Sequence, residues 1–406
     1  MTNLKNTKAE KYKLLVRKRK IKLVIVSANQ LYANGALNRL VNNYLISISD
    51  NKEFEVKLLA EECKGFIYRT LKKNVIILNY YTRPGRLRNI SICVNIFLRL
   101  LFSKPPDIIH LHQLGIEILP LLIYCKIFKS KLVITNHFSS FKGQYRGEYY
   151  EYLVQYDVIT KLLFINSNNY LNQYKNVTFI CLSKEIVKDL QDVGFPTLNY
   201  AHIPNGIEIT NEESIKQNNG DISIIWVGRY DAAKNLNLLF RVASILKKKN
   251  IEFTINVFGV NEKELDSQDM TLYETVLDFV FLKGFSDDLL YEIRKSNLGL
   301  VTSLSEAMSI SMLEMLSCGL PIITTPVSGM KEVIGENYCG KICNSNEAEE
   351  IAEEIMKLMG NKEEYEKMSS NAINTIKTKY TIENSINKHL ELYRKLIGNK
   401  ITICAE

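Results

Sequence analysis

The chain has 406 residues, 46% of them hydrophobic and 24% charged, a globular composition long enough for two domains with real cores. Its eight cysteines form no C-x-x-C pair, and the nearest two, Cys339 and Cys343, have no histidine beside them, so a zinc site is not indicated and reduced thiols are expected. The net charge of +8 is uneven: residues 1–205 hold 30 Lys and Arg against 14 Asp and Glu (+16), and residues 206–406 hold 22 against 30 (−8).

Residues 1–20 form a basic arm without the apolar core of a signal peptide. The first core strand is expected at 21–26. A loop with Asn34-Gly35-Ala36 follows, then helical spacing at Leu37, Leu40, Val41, Tyr44 and Leu45. Strand, glycine loop and helix N-terminus are the parts of a phosphate cradle. There is no G-x-G-x-x-G, which argues against a nicotinamide dinucleotide. Further strands are expected at 54–59 and 75–78, a helix at 90–102, and a strand from the Pro105-Pro106 breaker to His112. A helix at 119–128 and a strand at 131–135 lead to His137. The most apolar run, 116–128, is broken by Glu117, Pro120 and Lys126 and is too short to span a bilayer. The tyrosines of 138–176 read mainly as core filling. A strand at 177–182, a helix capped by Ser183 and a turn at 203–208 complete the first half.

The polar segment 210–220 reads as a linker. A second series follows: strand 222–227, helix 236–247, strand 253–258, helix 272–277, and strands at 279–282 and 298–301. After the 303–321 stretch come a strand at 322–325, a helix at 347–359 and a last helix at about 383–396. The expected organisation is a basic arm (1–20), a first Rossmann-like domain (21–209), the linker, a second Rossmann-like domain (221–380), and a C-terminal helix (381–406) packing back on the first domain. This is an α/β fold of two doubly wound domains facing across a cleft, a natural small-molecule site.

Two features carry chemistry. Residues 303–321 join two strands through a helix that Gly319 and Pro321 stop, and carry Glu306 and Glu314 eight residues apart. Ser303-x-x-Glu306 and Ser311-x-x-Glu314 also match the capping-box pattern, which would give either Glu a merely structural task. The strand at 222–227 leads into Gly228-Arg229, and Lys234-Asn235 opens the next helix, with Asn235 a good N-cap. Two cations and a helix N-terminus at one sheet edge suit a diphosphate, whose growing negative charge they would stabilise.

These motifs, with Cys318-Gly319-Leu320-Pro321, Pro204-Asn205-Gly206 and residues 327–332, resemble the retaining glycosyltransferases of family four, which have the GT-B fold. The likeness covers most of residues 21–395 and is strongest in the second half. It implies a nucleotide-sugar donor on the C-terminal domain and an acceptor on the N-terminal one. By this resemblance Glu306 bonds the donor sugar and Glu314 the ribose hydroxyls. Arg229 and Lys234 clamp the diphosphate, and Gly35 lets backbone approach it. His137 lies near the transferred sugar, and Gly228, Met308, Ser309 and Ile310 belong to the donor site. Family habit favours a UDP-sugar as co-substrate, with no further cofactor. Many relatives have Gly where this chain has Ala307 and Ser309, a change that either alters sugar choice or shrinks the pocket.

A glycosyl diphosphate has a good leaving group, so the need is for cations on phosphate rather than the paired carboxylates of glycosidases. No Asp-x-Asp pair exists in the chain, and no essential metal is expected. The expected activity is hexosyl transfer, with retention, to a glycan or lipid-linked acceptor in surface polysaccharide or glycolipid biosynthesis. A nucleotide-sugar epimerase of the same fold and an inactive glycan-binding subunit are the alternatives. The basic first half points to an anionic membrane surface and not to nucleic acid, whose motifs are absent, although a merely solvated basic face accounts for the charge as well. The expected location is cytoplasmic, peripheral at the inner face of the cell membrane.

Overall fold

The computed structural model describes residues 19–27, 36–60, 75–79, 88–112, 118–135, 137, 176–192, 199–209, 222–327 and 329–398. The arm over 1–18, Gly35, residues 138–175 and the linker lie outside them.

In the first half β1 (Ile21–Ser27), α1 (Ala36–Ser49), β2 (Phe54–Ala60), β3 (Ile76–Asn79), α2 (Arg88–Leu101), β4 (Ile108–His112), α3 (Ile118–Phe128) and β5 (Lys131–Thr135) alternate as expected. β1 is buried along nearly its whole length, because helices cover both faces of a parallel sheet. It pairs in parallel with β2 (Leu23 opposite Val56) and with β4 (Leu23 opposite Ile108), and the order is β3-β2-β1-β4-β5. These strands form one compact unit, which also takes the chain from Tyr393 onward.

Tyr393 is fully buried in that unit. Its hydroxyl bonds the Tyr44 hydroxyl and lies 2.6 Å from His110 Nδ1. Burial pushes the Tyr393 hydroxyl well above its usual pKa, so it stays a neutral hydrogen-bonding group. His110 and His112, both buried on β4, pack their rings 4.1 Å apart. Arg394 donates through Nε and Nη2 to Glu53 Oε2 at 3.0 and 2.8 Å.

The other unit contains Thr135–Leu392. Here β6 (Val177–Cys181), α4 (Lys184–Asp192) and β7 (Asn199–His202) precede a second parallel sheet, and β6 pairs with β7. Ser183 caps α4, accepting from Ile186 N at 3.4 Å. The second sheet is built from β8 (Ile222–Val227), α5 (Leu236–Lys248), β9 (Phe253–Phe258), α6 (Ser267–Glu274), β10 (Val280–Gly284), α7 (Leu289–Arg294), β11 (Leu298–Val301), α8 (Ile310–Ser317), β12 (Ile322–Thr324) and β13 (Gly340–Ile342). Its order is β10-β9-β8-β11-β12-β13, with the reversal at β8 and β11. That doubly wound arrangement opens its ligand crevice at the strand ends of β8 and β11. Three helices close the chain: α9 (Ala348–Met359), α10 (Lys362–Lys379) and α11 (Ile382–Ile397).

The structure differs locally from expectation. α10 was not foreseen, because its buried stripe is thin: Met368, Ala372 and Ile376, with Ser369 and Thr375 among them. Capping defines it instead, Asn361 Oδ1 accepting from Glu364 N at 3.1 Å. α6 lies earlier than the expected 272–277, because Asp266 starts it by accepting from Asp269 N at 2.8 Å.

The Tyr393→Ala variant is expected to lose about 3–5 kcal/mol, the usual cost of removing a buried aromatic side chain. Urea denaturation of the first unit measures it. An unchanged midpoint would show that the end of α11 is not integral to that unit.

Candidate functional site

The site is built at the ends of β8 and β11. Gly228 follows β8, its N–H donating to Phe258 O at 3.0 Å. A side chain there would meet the Trp226 indole at 2.7 Å, and a Cβ added at Gly259, whose φ is +90°, would stand 2.3 Å from Gly228 O. Only glycine fits such an approach at positive φ. Asp231 then caps a 3-10 turn over Ala232–Lys234, accepting from Ala233 N at 2.9 Å.

Asn235 stands before α5 but does not cap it through its side chain. It adopts the left-handed conformation (φ 51°, ψ 59°), one that asparagine tolerates, and reverses the chain between the 3-10 turn and the helix.

Lys234 Nζ donates to Glu306 Oε1 in a close ion pair, and Ser303 Oγ donates to the same oxygen at 3.1 Å. Both charged side chains are mostly buried, 23% and 12% exposed. A frame of hydrogen bonds holds the pair from beneath. Trp226 Nε1 donates to Thr302 Oγ1 at 3.0 Å, Thr302 Oγ1 donates to Lys234 O at 2.9 Å, and Leu304 N donates to Ala233 O at 2.8 Å. Arg229, at the same strand end, is exposed, with no ion-pair partner among the described residues. One cation is thus held by a carboxylate and the other is free to meet an anion.

Neither expected capping box forms around α8. Ser309 is the N-cap, its Oγ accepting from Met312 N at 3.4 Å, and that hydroxyl also lies 3.0 Å from Ser311 Oγ. Ser311 Oγ in turn donates to Val227 O at 3.2 Å, tying α8 to the end of β8. Ser303 bonds Glu306 directly and starts no helix. The helix end matches expectation: Gly319 at φ +75° donates to Leu316 O while Leu320 N reaches Met315 O, a Schellman closure. Ile310 opens α8, and Glu314 lies half-buried on its second turn.

Met308 and Ala307 are buried before that helix. Met308 O accepts from Asn205 Nδ2 at 3.3 Å, and Asn205 is itself 4% exposed. Gly329 (φ +72°) passes so close to Ala307 O that an added Cβ would stand 2.0 Å from it. Ala307 is therefore fixed by a neighbouring backbone, and the Ser309 hydroxyl is engaged by its own helix. In the sequence Asn205 and Gly329 stand out only through family likeness, and Thr302 and Trp226 carry no signal.

His137 is half-buried and interacts with His389 of α11, whose Nδ1 is 2.8 Å from Ser385 O. Burial, with the neighbouring His389 adding to it, pushes His137 down to about 4, and burial does the same to His389. Both rings are neutral at pH 7. Gly35 falls outside the described residues.

A cavity of about 390 Å³ lies in this unit, lined by His202, Glu332, Tyr380 and Lys388 among others, and none of the expected site residues among the described ones lines it. Glu332 sits 3.0 Å from His202 Nε2 and accepts from Lys184 N at 3.1 Å. Burial alone would raise its carboxyl, but these partners and Lys184 hold it below the usual range. Among the described residues no group of three or more His, Cys, Asp or Glu is arranged to hold a metal, and no helix is long and apolar enough to cross a membrane.

Residues 208–375 match the family model described as glycosyl transferases group 1, and residues 49–211 match that of glycosyltransferase family 4. An uncharacterized glycosyltransferase of Methanocaldococcus jannaschii is 26% identical over 313 residues, 72% of this chain and 77% of that one. The Escherichia coli UDP-Gal:alpha-D-GlcNAc-diphosphoundecaprenol alpha-1,3-galactosyltransferase is 22% identical, over 86% of this chain and 91% of that one. Among solved structures, Anabaena HepE in complex with UDP-glucose superposes with a TM-score of 0.72 at 14% identity, covering 92% of this chain and all of that one.

Because the two histidines fold neutral, the unfolded state takes up their protons first as pH falls. The histidines' share of stability is expected to be full above about pH 6.5 and to fall between there and about pH 4, with His389 contributing on the order of 3 kcal/mol. Urea unfolding at stepped pH tests this: His389→Gln should flatten the fall, and an unchanged profile would contradict it.

Proposed function

The chain belongs to the family-four glycosyltransferases of GT-B fold, and we propose that it moves a hexose-type sugar from a UDP-sugar to a glycan or lipid-linked acceptor, with retention and without a metal. The observation that carries this reading is the pairing of Lys234 with Glu306 at the strand end where Arg229 stands exposed. The arrangement offers one cation at once and a second on exchange of partner. The donor's diphosphate would take Lys234 from Glu306, leaving that carboxylate to accept hydrogen bonds from sugar hydroxyls.

In the transfer, the acceptor hydroxyl oxygen bonds the anomeric carbon as the bond from that carbon to the diphosphate oxygen breaks. The electron pair leaves with the diphosphate, where Arg229 and Lys234 stabilise it. The acceptor oxygen bonds the anomeric carbon on the face that the diphosphate leaves, which retains configuration, and the departing phosphate oxygen takes the acceptor proton on that same face. Glu314 would hold the ribose, with Gly228, Met308, Ser309 and Ile310 shaping the donor site by backbone approach. His137, neutral at pH 7, is a hydrogen-bonding group toward the sugar in this reading and not a charge. The Escherichia coli relative is named for a sugar joined to diphosphoundecaprenol, which supports a lipid-linked acceptor in the making of surface polysaccharide.

Lys234→Ala and Glu306→Ala should each lower kcat/KM for transfer about 10²-fold or more, as the loss of a charge-stabilising group does. Transfer left intact by both would sink the site assignment. Activity should persist in a chelator, and loss that added metal restores would overturn the metal-free reading. Given donor alone, the protein should yield at most slow hydrolysis; conversion of the sugar itself would identify an epimerase.

A further inference from the structure

Helix α2 has two apolar faces, and the first unit buries only one. Ile92, Ile96 and Leu100 are at most 6% exposed. Ile90, Val94, Leu98 and Leu101 are between 42% and 60% exposed, and Phe102 just beyond the helix is 86% exposed. Steps of three and four keep each set on one side, and the two-residue offset between them, roughly 200° of turn, sets them back to back. The exposed stripe therefore contributes nothing to the core.

α3 extends this face. It packs on α2 through Tyr124, whose hydroxyl donates to Leu100 O at 3.3 Å and whose ring meets Phe97 edge-on. Its own Ile123 and Ile127 are 53% and 59% exposed. Two adjoining helices with this much large apolar surface outward form a patch of the kind that marks an interaction site.

The charge around the patch identifies the partner. Neither helix contains an Asp or Glu, and Arg99, Lys104 and Lys126 are exposed on or beside them. Across residues 63–106 there are nine Lys and Arg and no acidic residue. A second copy of the chain would bring like charges together. A surface with an apolar interior under an anionic skin satisfies both features.

We propose that the α2–α3 face docks on an anionic lipid bilayer, with Ile90, Val94, Leu98 and Phe102 entering the headgroup–acyl boundary and Arg99, Lys104 and Lys126 meeting lipid phosphates. This stands independently of the donor chemistry, since none of these residues belongs to the proposed donor site. It gives the basic first half a specific surface and would hold a lipid-linked acceptor's enzyme where that acceptor lies.

Co-sedimentation of the full chain with phosphatidylcholine vesicles, with and without phosphatidylglycerol, tests it. The protein should bind the phosphatidylglycerol vesicles preferentially, and less so in high salt. The V94Q/L98Q/F102Q variant should partition at least tenfold more weakly while keeping its thermal midpoint and UDP affinity. Each of R99Q, K104Q and K126Q should cost about fivefold, or ~1 kcal/mol, on the anionic vesicles alone. If the triple variant unfolds early, I123Q/I127Q on α3 replaces it. Equal binding to both vesicle types, or variants that bind like the parent, would overturn the proposal. So would loss of a dimer by sedimentation velocity in these variants without any vesicle binding, since that makes the face a contact between copies.

Discussion

The arrangement at the ends of β8 and β11 depends on one ion pair, Lys234 with Glu306, and on the hydrogen bonds that fix its geometry. Bringing two long charged side chains to a mostly buried position costs solvation, and their attraction offsets it only when geometry is held. Here the holding is done by uncharged groups. Thr302 bridges the Trp226 indole to the Lys234 carbonyl, Ser303 bonds the carboxylate, and the Ala233–Leu304 contact joins the two loops. The pair is consequently fixed at the strand ends where a doubly wound sheet binds its ligands.

The same loops show how neighbouring residues keep this region rigid. Ser311 ties α8 to the end of β8, Asn205 ties the Met308 carbonyl to the turn after β7, and Gly329 presses on the carbonyl of Ala307. The last contact leaves no room for a side chain at residue 329. In the proposed donor site such rigidity would be more effective than assembly on binding, because the reorganisation has been met by folding. The exposed Arg229 is the exception, and its freedom suits a group that closes on a ligand after arrival.

Much of this was legible in the sequence, for stated reasons. Apolar runs such as 21–26 and 298–301 are strands because the parallel sheet buries both faces, and the Gly319 stop reads directly as a left-handed helix end. The sequence placed Lys234 and Glu306 at strand ends of one domain, but their pairing was not expected from it and appears only in the structure. Other features were hidden. α10 is held by a narrow stripe that includes Ser369 and Thr375, so its periodicity is weak. Ser309 took the cap that the Ser311-x-x-Glu314 pattern offered, because Ser311 found the Val227 carbonyl. The sequence showed only helical apolar spacing over 90–102, since periodicity reports spacing and not which side a sheet will cover.

The central claim is that affinity for the donor is carried by cations on its diphosphate. Calorimetric titration of the unaltered protein with UDP, UMP and uridine tests it most directly. The account predicts that affinity falls stepwise as phosphates are removed, with uridine weakest and the UDP interaction alone strongly weakened by salt. Equal affinity for all three would mean that the base and ribose hold the ligand, and would contradict the assignment of Arg229 and Lys234.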